Sequence, residues 1–231
     1  MERPGRLDYA PHEDPVPAWM PGWSGREAKA QPLGHGAALL RGYAATDIRS
    51  LLDMLGEIAG AAALRRMVVP GGRSMSVAMT NCGFVGWVTD RSGYRYERLD
   101  PTTGRPWPPI PAAYLALARA AAAEAGFLDF EPDACLVNEY LPGSKLSLHR
   151  DSDERDLSQP IVSVSLGLPA TFLFGGLERV EKPRRIRLQS GDVVVWGGPS
   201  RLVFHGVARL ADGFDPMAGA RRVNLTFRRA L

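Results

Sequence analysis

The chain is poor in cysteine. Only Cys82 and Cys135 occur among 231 residues, and they have no CxxC spacing. A disulfide framework or a thiolate zinc site needs more sulfur than that, and a reducing compartment such as the cytoplasm fits the count. Long apolar runs are also missing. No stretch approaches the roughly 18 residues that span a bilayer, and the opening MERPGRLDYAPHEDPVPAWMPGW lacks a signal-peptide core. The chain therefore reads as neither secreted nor membrane-spanning. No P-loop, GxGxxG, HExxH or GxSxG occurs, and there is no internal repeat, so nucleotide-phosphate and α/β-hydrolase chemistry lose their usual signals. Histidine is scarce, with four in all, and charge is nearly balanced at +3. A sequence pI near 9.1 is compatible with a polyanionic partner without requiring one. Nothing signals oligomerisation, so a monomer is expected.

An apolar content of 45% is ordinary for a chain with a real core. Residues 1–32 are rich in Pro, Gly and charge and read as an irregular arm. Residues 46–64 place Ile48, Leu51, Leu52, Leu55, Ile58 and Ala62 on one helical face, with Thr46 as N-cap. Short β-like pieces follow in SMSVAMT, FVGWVT and YRYERL, divided by Asn-Cys-Gly and Arg-Ser-Gly turns. A second helix lies in AAYLALARAAAAEAG and ends at Gly126. After Ala134 come seven strand-like segments, CLVNEY, IVSVSLGL, TFLF, IRLQ, DVVVWG, LVFHGV and RVNLTFR. The pattern predicts an α+β, mainly β fold, with a sandwich or jelly-roll core backed by the two helices.

Chemistry concentrates in NEYLPGSKLSLHRDSDERDL, residues 138–157. There His149 and Asp151 end an alternating segment, and period two predicts that they share a strand face. A second HxD, His12 and Asp14, sits in Pro-rich chain and reads as surface. His205, in LVFHGV, is available as a third donor. Two imidazoles and one carboxylate bind ferrous iron on one octahedral face and leave three positions open. A half-buried histidine and a loop acid would account for His205 and Asp151 singly. The last strand strengthens the metal reading. In RVNLTFR, Val223, Leu225 and Phe227 alternate against Arg222, Asn224, Thr226 and Arg228. The two arginines stand about 20 Å apart along an extended strand. That suits a guanidinium near each end of a small dicarboxylate, one of them acting through a neighbour if need be. Asn138 and Tyr140 add an amide and a phenol on another strand.

These residues resemble a known family. MVVPGGRSMSVAMTNCGFVGW, PDACLVNEYLPGSKLSLHRDSDE, PIVSVSLGLPATFLFGG, GDVVVWGGPSRLVFHGV and RRVNLTFR are similar to the bacterial AlkB family of iron(II)- and 2-oxoglutarate-dependent dioxygenases, from about Leu33 to Arg229. The resemblance implies a double-stranded β-helix core at 134–229, within one dioxygenase domain at 33–231, and a nucleotide-recognition lid with a hairpin at 67–110. It implies Fe(II), with 2-oxoglutarate and O2 as cosubstrates, held by His149, Asp151 and His205. Arg222 would meet the distal carboxylate with Asn138 and Tyr140, and Asn224 and Arg228 would lie near the chelating end. Trp87 and Tyr94, with Tyr96 nearby, would contact the base. Met79, Asp153 and Arg179 would line its pocket, and His149 would double as a stacking surface.

The implied activity is oxidative dealkylation repair of 1-methyladenine and 3-methylcytosine in DNA, expected to be single-stranded and with the base flipped out, releasing formaldehyde, succinate and carbon dioxide. A carboxylate at Asp153 would favour these cationic bases. Methylated RNA, a protein or small-molecule substrate, and a non-enzymatic jelly-roll binding module are the competing readings. The last predicts no need for Arg222 and Arg228. Ser152 stands where the family has a lysine, Arg73 where it has an aromatic, and Val69 where it has a threonine. These departures bear on strand contact, and leave the iron chemistry alone.

Overall fold

A computed structural model describes residues 30–231; the HxD pair at His12 and Asp14 and most of the Pro-rich arm lie outside them. The chain begins its described part as a strand, β1 (Ala30–Gly34), which pairs with β2 (Ala37–Leu40). The arm read to residue 32 therefore gives way to sheet at Ala30. Helix α1 (Ile48–Ala61) buries Ile48, Leu51, Leu52, Leu55 and Ile58. Its N-cap is Asp47 instead of Thr46, and the Asp47 carbonyl accepts from both Leu51 N–H and Ser50 Oγ at 2.9 Å. Helix α2 (Ala112–Glu124) packs its alanines closely and ties to α1 through Tyr114, whose hydroxyl donates to the Leu51 carbonyl at 2.7 Å. Gly126 follows with φ +89°, a conformation glycine adopts without steric cost.

Between the helices, β3 (Ala78–Gly83) starts four residues and ends three residues later than the segment SMSVAMT, residues 74–80. Asn81–Gly83 is strand, not turn, because Cys82 sits opposite Cys135 and both are wholly buried. A separate hairpin follows, β4 (Gly86–Asp90) with β5 (Gly93–Glu97), closed through Arg91 and Ser92. The buried Asn81 amide grips both Trp87 backbone groups at 3.0 Å, which fixes the hairpin to the sheet. Gly86 has no room for a side chain, since a Cβ there would lie 2.5 Å from the Trp107 ring.

The remaining strands are β6 (Ala134–Tyr140), β7 (Leu146–His149), β8 (Ile161–Gly167), β9 (Ala170–Phe174), β10 (Arg184–Leu188), β11 (Val193–Trp196), β12 (His205–Val207) and β13 (Arg222–Arg228). The larger sheet runs β1-β2-β11-β8-β13-β6-β3 and the smaller β10-β9-β12-β7, with antiparallel pairing throughout. Strands β6 to β13 are eight, distributed between two facing sheets, which is the arrangement of a jelly roll. The eighth is β7, the short strand carrying His149. Helices α1 and α2 cover the outer face of the large sheet, where Val137, Val164, Val195, Val223, Leu225 and Phe227 meet them. The other face packs onto the small sheet through Trp196, Phe172, Phe174 and Leu188. No helix among the described residues is long and apolar enough to cross a membrane.

Candidate active site

Strand alternation divides β13 between these two layers. Val223, Leu225 and Phe227 enter the helix-side core, while Arg222, Asn224, Thr226 and Arg228 line a cavity of about 830 Å³ between the sheets. A solvated edge strand is excluded: β13 is central, and all seven of its residues are buried. Register brings Tyr140 opposite Arg222 and Asn138 opposite Asn224. The small sheet supplies the other wall, with His205 opposite His149 across β12 and β7.

The two imidazoles have ring centres 4.4 Å apart. Each turns its Nδ1 toward a backbone carbonyl, His149 to Ser147 at 2.9 Å and His205 to Val203 at 3.1 Å. A carbonyl only accepts, so both Nδ1 atoms carry the proton and both Nε2 lone pairs are free for a metal. Asp151 completes the cluster, 3.6 Å from His149 Nε2 and 3.8 Å from His205 Nε2. The three donor atoms lie within 4.8 Å of one another. Period two does not bring Asp151 there, because β7 ends at His149 and Asp151 lies in the following loop. The carboxylate is instead held by Arg228, whose Nε and Nη2 donate to Oδ2 at 2.9 and 2.6 Å. Burial favours the neutral acid, but Arg228, then His205 and His149, outweigh it and hold Asp151 well below the usual carboxylate range. Burial, with His149 adding to it, pushes His205 down to about 3, so it stays a neutral ligand. Two imidazoles that turn Nε2 inward and one ionised carboxylate fit Fe(II).

Arg222 is almost fully buried, and only Nη2 has a partner, Ser165 Oγ at 3.0 Å. Its Nε and Nη1 have none, and Asn138 Oδ1 is likewise unpaired. Its guanidinium lies 4.9 Å from the Tyr140 ring. Buried donors left open beside an enclosed space are what an incoming carboxylate satisfies, so 2-oxoglutarate fits this end. The two arginines therefore differ: Arg222 offers open donors, whereas Arg228 is occupied by Asp151. Asn224 is also occupied, donating to Ser163 Oγ and the Val164 carbonyl and accepting from Thr226.

At the mouth, Trp87 and Tyr94 stack with centres 5.7 Å apart, and Trp87 Nε1 donates to Asp153 Oδ2 at 2.8 Å. Met79 lines the cavity from β3, as do Val69, Arg73 and Ser152 near the opening. Arg179 and Arg150 lie 5.7 and 5.3 Å from the Phe204 ring. Tyr96 does not line the cavity; its hydroxyl donates to Glu154 at 2.6 Å. Two buried residues that the sequence reading passed over, Glu154 and Arg201, join this arrangement.

A family model described as the 2OG-Fe(II) oxygenase superfamily matches residues 26–228. The chain is 56% identical over 200 residues to the alpha-ketoglutarate-dependent dioxygenase AlkB of Salmonella typhimurium, covering 87% of this chain and 93% of that one. The chain belongs to the AlkB family of 2OG-Fe(II) oxygenases. The Escherichia coli AlkB dioxygenase is 54% identical with the same coverage. Among solved structures, that of OsALKBH1 superposes with a TM-score of 0.76 at 30% identity, covering 87% of this chain and 99% of that one. Members of the superfamily use Fe(II), 2-oxoglutarate and O2. For an AlkB-family chain, the cluster of His149, Asp151 and His205 and the open donors of Arg222 lie within one cavity.

Proposed function

We propose that this dioxygenase removes alkyl groups oxidatively from N-alkylated bases such as 1-methyladenine and 3-methylcytosine in single-stranded DNA, acting as a cytoplasmic monomer. The single observation that carries the reading is one cavity holding a His-Asp-His donor set at one end, unpaired Arg222 donors beside it and a stacked Trp87–Tyr94 pair at the mouth. His149, Asp151 and His205 would hold the iron. When bound, iron with 2-oxoglutarate and oxygen supplies the oxidation of the N-alkyl carbon, with succinate and carbon dioxide as coproducts. The oxidised methyl group then leaves the base as formaldehyde.

The chain's own residues bind and orient. Arg222, with Tyr140 and Asn138, anchors the far carboxylate of the cosubstrate. Arg228 keeps Asp151 ionised and aimed at the imidazoles. Trp87 and Tyr94 give a flipped base an aromatic surface opposite His149. Asp153 adds negative charge where 1-methyladenine and 3-methylcytosine carry a positive one. Met79 and Arg179 shape the pocket around them. Two buried free thiols accord with a reducing compartment. In this reading residues 33–231 form one dioxygenase domain, with 134–229 as catalytic core and 67–110 as recognition lid.

Purified protein with Fe(II), ascorbate and 2-oxoglutarate is expected to release formaldehyde from a 1-methyladenine oligodeoxynucleotide, and Asp151→Ala to lose that turnover. Unchanged turnover in Asp151→Ala removes the metal assignment. Faster turnover on the matching oligoribonucleotide replaces DNA by RNA as the substrate.

A further inference from the structure

Glu154 and Arg201 are buried charges outside the cavity wall. Their side chains expose 2% and 3% of their surface, a costly state unless every polar atom is engaged. They meet at 3.0 Å between Glu154 Oε2 and Arg201 Nη2. Arg201 spends its other donors on main chain, Nη1 on the Asp151 carbonyl at 2.8 Å and Nε on the Gln159 carbonyl at 2.9 Å. Glu154 Oε1 accepts from Tyr96 at 2.6 Å and lies 3.3 Å from Arg228 Nε. Arg228 in turn grips Asp151 Oδ2. Asp151 is thus fixed twice, at its carbonyl by Arg201 and at its carboxylate by Arg228, and Glu154 touches both arginines.

The far end of this network is the hairpin. Tyr96 on β5 is the cross-strand partner of Trp87 on β4, so the two side chains share a face. They reach neighbouring residues of the same loop, Tyr96 to Glu154 and Trp87 to Asp153. The hairpin that presents Trp87 and Tyr94 at the mouth therefore clasps the segment immediately after Asp151 at two points.

We propose that Glu154 and Arg201 are positioning residues that couple the hairpin to Asp151, so that base binding and metal binding strengthen each other. The inference rests on the metal and base reading given above. A base stacked on Trp87 and Tyr94 bears on the hairpin face that carries the Tyr96–Glu154 contact, which holds Arg228 and the Asp151 loop in place. Metal that fixes Asp151 holds the same contacts from the other side. Linkage makes the enhancement equal in both directions. Residues that orient metal ligands typically change metal affinity about 10–100-fold when altered.

The test uses the full chain, Mn(II) as redox-silent probe followed by electron paramagnetic resonance, and a fluorescent 1-methyladenine trinucleotide, both without oxygen. Native protein is expected to bind the trinucleotide more tightly with Mn(II) than without, and Mn(II) more tightly with the trinucleotide by the same factor. Tyr96→Phe, which removes one hydroxyl and keeps the ring, brings that factor close to one. Glu154→Gln and Arg201→Lys weaken Mn(II) binding about 10-fold or more. Native protein showing no mutual enhancement, or Tyr96→Phe retaining it in full, overturns the coupling. Failure of the underlying metal assignment looks different: Asp151→Ala would then bind Mn(II) as native protein does.

Discussion

Replacing Arg222 by Met separates folding from cosubstrate binding. The guanidinium is buried, two of its nitrogens have no partner, and its main compensation is the Tyr140 ring at 4.9 Å. An apolar side chain of similar length removes a buried charge that has no ion-pair partner, a change comparable to replacing a buried ion pair by apolar groups, which stabilises by up to about 1–4 kcal/mol. It gives up a cation–π contact of about 0.5–2 kcal/mol. The expected net is a gain of about 1–2 kcal/mol in the metal-free protein, measured by urea unfolding. Binding moves oppositely. Two charge-assisted hydrogen bonds to a carboxylate contribute about 1.5–3 kcal/mol each. Losing both weakens 2-oxoglutarate binding by about 10²–10⁴-fold, read by calorimetry with Mn(II) under nitrogen. A variant that binds 2-oxoglutarate within threefold of native, or that unfolds at markedly lower urea, refutes the idea that the open donors await a carboxylate.

Other expectations follow from the same contacts. Gly206→Ala would put a Cβ 2.7 Å from the Leu146 carbonyl. Strands β7 and β12 must then separate, with a loss of about 1–3 kcal/mol in stability and weaker Mn(II) binding as His149 and His205 part. Asp153→Asn should reduce the preference for cationic 1-methyladenine over a neutral alkylated base by about three- to fivefold in competition assays. The metal-free protein should lose stability as pH falls below 6.5. The unfolded chain takes up a proton on His205 there, whereas the folded chain refuses it until about pH 3. Asp151, also held below its ordinary value, carries the same sign further down. His205→Asn should flatten the decline between pH 6.5 and 4.5 in urea midpoints; an unaltered slope contradicts the assignment.

The sequence carried most of the architecture because local signals agreed with tertiary ones. The heptad-like spacing of Ile48 to Ile58, Gly126 after an alanine run, and the alternation of RVNLTFR each translate directly into a buried face. Strand β3 was offset because Asn-Cys-Gly has turn chemistry, and only the pairing of Cys82 with Cys135 overrides it. Strand β1 was hidden in Pro-rich chain, since its partner β2 provides the structure. At the site, residue types were legible but their partners were not. Nothing local says that Arg228 is occupied by Asp151 while Arg222 is open. Arg201 stands between the turn residues Gly-Gly-Pro-Ser and the short apolar run before His205, where a solvated charge is the ordinary expectation, and its contacts with Asp151 and Glu154 cross about fifty positions of chain. Tyr96 looked like its aromatic neighbours, and only the hairpin register turns its hydroxyl to Glu154.

The most direct test of the central claim is anomalous diffraction at the iron edge from an anaerobic crystal soaked with Fe(II) and 2-oxoglutarate. One peak is expected at bonding distance from His149 Nε2, the Asp151 carboxylate and His205 Nε2, with a cosubstrate carboxylate against Arg222. Iron bound elsewhere, or a cosubstrate that leaves Arg222 untouched, would contradict it.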